Sequence, residues 1–170
     1  MMEQIDNDYM FVRDVMRYVL LEYCHELNWM PSGKFVRQNH NSPFNSAVKR
    51  LVHMFLDSNR SKLHDIYNAY FHERIFSAQK HYEFCQKLIE DEDMREDPKV
   101  IVLRLCVVLS YLTAYSVSCG IMEAPHITHT LIFEYYSKLR KIRLIGYTFW
   151  EDLQIFMRNF MSYLDRIGIK

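Results

Sequence analysis

A chain of 170 residues, 49% hydrophobic and 15% aromatic, is long and apolar enough to bury one core, which excludes a disordered chain. Four Gly and four Pro are too few for the turns of a β-sandwich or barrel. Lys plus Arg balances Asp plus Glu at 21 each, so nothing marks the chain for nucleic acid or for a strongly acidic substrate.

In chain order, the opening Met1-Met2-Glu3-Gln4-Ile5-Asp6 has neither a basic nor an apolar run, so no signal peptide is expected. Asp8 to Asn28 reads as a first helix, with Tyr9, Val12, Met16, Val19, Leu20, Tyr23 and Leu27 at three- and four-residue spacing. Met30-Pro31-Ser32-Gly33 ends it, and a polar loop runs to about Ser42-Pro43. A second helix begins near Asn45 and carries Val48, Leu51, Val52, Phe55 and Leu56, up to a break or kink at Asp57-Ser58-Asn59. A short third helix holds Leu63, Ile66, Tyr67 and Tyr70, and a fourth runs from about Ile75 to Ile89, with Phe76, Phe84 and Leu88 on one side.

The acidic run Glu90-Asp91-Glu92-Asp93 reads as a solvated helix end or loop. Asp97-Pro98 is a helix start, a capping Asp before Pro at the first helical position. The fifth helix that follows is nearly all apolar from Val100 to Val117, with Arg104 its only charge. Its length reaches the lower limit of a membrane span, about 17–25 residues. Ser110, Tyr111, Thr113, Tyr115 and Ser116 favour a buried central helix instead, and no integral membrane segment is expected. Pro125 opens a sixth helix to about Lys141, and Gly146-Tyr147 marks a turn. Thr148-Phe149-Trp150-Glu151 has the form of a capping box, and two short final helices end the chain without an apolar tail. The sum is one all-α domain over residues 1–170, a bundle of roughly seven or eight helices around an apolar central one.

Cys24, Cys85, Cys106 and Cys119 form no Cys-x-x-Cys pair, as expected of reduced thiols in a cytosolic protein. His126 and His129 are three apart on a helix but lack a Glu-x-x-His or Cys companion, so surface or capping histidines are expected and no metal. There is no Gly-x-Ser-x-Gly, P-loop or dinucleotide fingerprint, and neither an enzyme nor a cofactor is expected.

Four segments, spanning about Val12 to Phe156, resemble the four homology motifs of the Bcl-2 family in order. Val12-Arg13-Asp14-Val15-Met16-Arg17-Tyr18-Val19-Leu20 resembles the N-terminal motif, with Trp29 where an aromatic often follows. Ala47 to Asp57 resembles the third homology motif, with Val48, Val52 and Phe55 as its apolar stripe and Asp57 at the acidic position. Leu56 departs from the small residue usual before that Asp, which argues against this helix being itself a ligand. The central helix resembles the first homology motif without its Asn, Trp and Gly. Arg104 or Lys99 takes the arginine position depending on register, and Arg104 is favoured. A guanidinium in an apolar helix must reach solvent, an internal carboxylate or a partner's carboxylate. Tyr147 to Phe156 resembles the second homology motif through Trp150, without the Gly pair.

What the resemblance implies is a Bcl-2-like helical bundle with a hydrophobic groove for partner helices. On that likeness the groove is formed by Val52, Phe55, Leu63, Ile66, Tyr67, Tyr70, Phe84, Leu88, Val107 and Val108, with Arg104 or Lys99 as its cation. Such proteins hold the amphipathic death-motif helices (Bcl-2 homology motif 3) of pro-apoptotic family members, read by apolar anchors at i, i+3 or i+4, and i+7. The ligand's Asp would meet the cation, and holding such partners would block cell death. The short loop and absent tail resemble compact viral members. The expectation is therefore an anti-apoptotic, non-enzymatic, cytoplasmic protein recruited to the host mitochondrial outer membrane by its partners. An alternative is a viral scaffold of the same fold that modulates innate immune signalling without binding death motifs. The groove aromatics would equally serve self-association.

Overall fold

The computed structural model describes residues 2–36 and 42–168, with side chains from Asn7 onward; residues 37–41 of the expected polar loop, and the last two residues, lie outside the described residues. Helix α1 spans Met2–Tyr18 and buries Phe11, Val12, Val15 and Met16. It passes into a π-helical turn, Val19–Tyr23, in which the Cys24 N–H donates to the Val19 carbonyl at 2.8 Å. The wider turn brings the chain to a 3₁₀ turn at His25–Leu27, and left-handed Asn28 (φ 57°) ends it. A second 3₁₀ turn, Gly33–Val36, buries Phe35.

Helix α2 runs unbroken over Ser46–Tyr70, capped by Asn45, whose side chain accepts from the Val48 N–H at 3.1 Å. The break expected at Asp57-Ser58-Asn59 is absent, and two expected helices are one. The cause is packing: Val48, Val52, Leu56, Leu63 and Tyr67 are all buried, so the stripe facing the core continues across the polar residues. Asn59 donates to the Phe55 carbonyl of its own helix at 2.7 Å instead of ending it. Helix α3 (Ala78–Glu90) is capped by Ser77, whose hydroxyl accepts from the Lys80 N–H, and its first residue lies three beyond the expected start at about Ile75.

Helix α4 (Pro98–Ser118) begins as expected, with Asp97 accepting from the Lys99 N–H at 2.9 Å and Pro98 in the first turn. Fourteen of its 21 residues are buried, which places it at the centre of the bundle. It is long and apolar enough to cross a membrane, but 78% of its most apolar stretch lies inside the protein. Two of its hydroxyls, those of Thr113 and Ser116, join a buried polar cluster, whereas the Ser110 hydroxyl is buried without a hydrogen-bond partner among the described residues. His81 contacts the Ser116 and Thr128 hydroxyls at 2.7 Å each, Tyr67 meets Ser116 at 2.9 Å, and Thr113 meets Thr128 at 2.7 Å.

Helix α5 (Ala124–Lys141) is followed by α6 (Phe149–Arg166), one continuous helix where two short ones were expected. The described residues therefore hold six α-helices and no strand, fewer helices than the seven or eight expected, because α2 and α6 each absorb a predicted break. The capping box at Thr148 does not form. Its hydroxyl donates to Asp152 at 2.9 Å, and its backbone (φ −95°, ψ 12°) lacks the extended form usual for a capping residue.

Candidate functional site

Val100, Leu103, Arg104 and Val107 of α4 form an i, i+3, i+4, i+7 set that lies on one side of the helix. That set forms the floor of an apolar cavity of about 280 Å³. Leu51 and Phe55, one turn apart on α2, make one wall. Phe156 and Phe160, one turn apart on α6, make the other, their rings stacked at 6.3 Å with 5° between planes. Val100 is exposed at the rim. Among the described residues, the one charged side chain lining the cavity is Arg104.

Arg104 does not wait there unpaired. Its Nε donates to Glu92 Oε1 at 3.3 Å, its Nη2 donates to Glu92 Oε2, and Nη2 also reaches Glu96 at 2.5 Å. Glu92 and Glu96 belong to the α3–α4 connection; Glu90, Asp91 and Asp93 of the acidic run are exposed at a helix end as expected, but the Glu92 side chain is only 12% exposed. The two carboxylates, Glu92 foremost, hold the guanidinium pKa above its ordinary value against desolvation. Lys99 lies off the cavity and pairs with the Asp97 carboxylate at 3.3 Å.

Of the residues expected to form a groove, Phe55, Arg104 and Val107 come together in this cavity. Tyr67, Tyr70 and Phe84 gather elsewhere, around Phe71, with Phe84 ring centroids 5.6 Å from Tyr67, 4.8 Å from Tyr70 and 5.4 Å from Phe71. Val52, Leu63, Tyr67 and Phe84 are buried in the core, and Ile66, Leu88 and Val108 are half-buried against it. Leu51, Val100, Leu103, Phe156 and Phe160 complete the cavity and were not among the expected residues. The apolar i, i+3, i+7 spacing around Arg104 was the sequence feature that could have found Val100 and Leu103.

The histidine pair also resolves differently from expectation. His126 is half-buried beside Ser32, whereas His129 is buried, donating from Nε2 to the Tyr9 carbonyl at 3.1 Å while Nδ1 accepts from Lys34 at 3.1 Å. Among the described residues no His, Cys, Asp and Glu group is arranged to hold a metal ion. Compared with protein-family models, curated proteins and solved structures, the chain matches none.

Proposed function

We propose that this protein is an anti-apoptotic regulator of the Bcl-2 kind, which sequesters pro-apoptotic partners by seating their amphipathic death-motif helix in the α2–α4–α6 cavity. The observation that supports this best is an apolar cavity on a buried central helix, lined by one charged residue, Arg104. About 280 Å³ is slightly small for a drug-like ligand, whose sites run to about 300–1,000 Å³, and suits the side-chain anchors of a helix. Each anchor seated would contribute about 1.5–3 kcal/mol before ordering costs. Nothing in this scheme calls for catalysis or a cofactor. The protein would act in the cytoplasm, or at the mitochondrial surface when its partners carry it there.

Titration calorimetry of the full chain against a panel of death-motif peptides tests this reading. Sub-micromolar binding of at least one peptide, weakened by Phe55→Asp, is the expected outcome. Silence across the panel from a folded sample would overturn it. One observation favours a second reading, a scaffold of the same architecture that modulates innate immune signalling without binding death motifs: the guanidinium that would meet a ligand's Asp is already held by Glu92 and Glu96.

A further inference from the structure

Arg104 has a planar fork, and the edge formed by Nε and Nη2 is the one that takes a carboxylate side-on. Glu92 fills that edge with both of its oxygens, and Glu96 adds a second carboxylate at Nη2. One guanidinium against two carboxylates leaves a net charge of −1 at this end of the cavity, where an unpaired arginine would present +1. Two further acidic residues of the same connection, Asp93 and Asp97, are occupied by Arg95 and Lys99, so those cations do not reverse the sign. Glu92 does not yield its place cheaply either. At 12% exposure, a carboxylate stripped of its arginine would stand largely desolvated and uncompensated.

From this geometry we infer that Glu92 and Glu96 are specificity-determining residues of the cavity: they neutralise Arg104 in advance, so that a partner helix is selected by its apolar anchors and gains nothing from an acidic residue facing Arg104. This rests on the helix-capture reading above and names the chemistry of its partner. The occupant is an amphipathic helix whose affinity lies in its apolar face, with a neutral or basic residue tolerated where it meets the Glu92–Arg104–Glu96 cluster. Removing the two carboxylate charges would turn the cluster into an ordinary carboxylate receptor.

The test uses the full chain, the tightest death-motif peptide from the calorimetric panel, and the same peptide with its Asp replaced by Ala. In the wild-type protein the two peptides are expected to bind within about threefold of each other. In the Glu92→Gln/Glu96→Gln protein the Asp peptide is expected to bind about tenfold or more tighter than its Ala counterpart, the size of a charge-assisted hydrogen bond newly available. A tenfold loss on removing the Asp in the wild-type protein would overturn the inference while leaving helix capture standing, as would the same Asp preference in both proteins. Failure of the wild-type protein to bind any peptide would overturn both readings, whereas failure of the folded double variant alone would overturn the inference and leave helix capture standing. Should the double variant not fold, Glu96→Gln alone, at a 42% exposed position, carries the comparison, with a gain in Asp preference over wild type expected and an unchanged preference overturning it.

Discussion

Arg140 closes on the carboxylate of Asp8, 132 residues earlier in the chain, with Nε at 2.5 Å from Oδ2 and Nη2 at 2.6 Å from Oδ1. Asp8 is almost wholly buried, and the indole N–H of Trp150 donates to its Oδ1 at 2.8 Å. The Arg140 Nη1 reaches the Gly146 carbonyl at 3.1 Å. The carboxylate thus ties α1 to the end of α5 and to the first turn of α6, which forms a wall of the candidate cavity, and Arg140 ties in the turn between them.

Breaking this pair from one side leaves a buried charge without its partner. Asp8→Ala and Arg140→Ala are each expected to lower unfolding free energy by about 3–5 kcal/mol. The double variant should lose less than the sum, because the second change removes the stranded charge. Urea unfolding monitored by circular dichroism gives the three values, and strict additivity would show that the pair is not coupled.

Stability is expected to fall as the solution is acidified below pH 6.5. Burial lowers the His81 pKa to about 4, and burial together with the Lys34 charge lowers that of His129 to about 3. As pH falls through 6.5 the unfolded chain takes up protons on both rings, while the folded protein excludes them until pH nears 4 and 3. The stability held by these neutral rings is therefore full above pH 6.5 and is lost below it, by at most about 1.4 kcal/mol per pH unit for each ring. Replacing His81 with Gln should remove its share of the slope in urea titrations between about pH 6 and pH 5, whatever it does to stability at neutral pH. An unaltered slope would show that His81 is not the group titrating.

Two phenylalanines separate core from cavity. Phe84 is buried among Tyr67, Tyr70 and Phe71, so Phe84→Ala is expected to cost about 3–5 kcal/mol of stability, with peptide binding failing only as the fold fails. Phe156 is half-buried on the cavity wall, and Phe156→Asp should weaken peptide binding by about tenfold or more while the thermal midpoint moves far less. Parallel melting curves and calorimetry distinguish these; equal loss of stability in both variants would dissolve the distinction.

Thiol labelling reports the same burial chemically. Desolvation pushes the thiols of Cys24, Cys85 and Cys106 up to about 12, whereas Cys119 is only half-buried at the end of α4. A maleimide reagent is expected to modify Cys119 alone in the native protein and all four cysteines in denaturant, as read by mass spectrometry. Rapid native labelling of Cys106 would contradict a closed bundle core around α4.

Much of the secondary structure was legible because helix formation is governed by neighbours three and four residues apart. Asp97-Pro98 announced the start of α4, and its apolar run announced a helix buried all round. The expected break at Asp57-Ser58-Asn59 was a local reading of polar residues, and it lost to Leu56 and Leu63, which pack on either side of it. The capping box at Thr148 failed for a similar reason: Asp152, one turn on, competes for the hydroxyl that the motif assigns to the backbone. For the candidate cavity, the distinction between Phe55 and Val52, or between Val107 and Phe84, was not legible. Core and groove use the same side chains at the same spacing, and only the approach of a second helix decides which one is covered.

By itself, then, the amino-acid sequence determined an all-helical chain with an apolar central helix and one conspicuous charge within it, because periodicity and composition act through local contacts and total buried area. It also implied that Arg104 must reach solvent or a carboxylate, since an unpaired buried guanidinium is too costly. Which partner was decided only by tertiary structure. Glu92 and Glu96 answer Arg104 because the α3–α4 connection folds back over the first turns of α4, and Arg140 answers Asp8 because α1 and α5 are packed together. Charges attract without regard to sequence distance, so the pairings follow from where the packed helices place them.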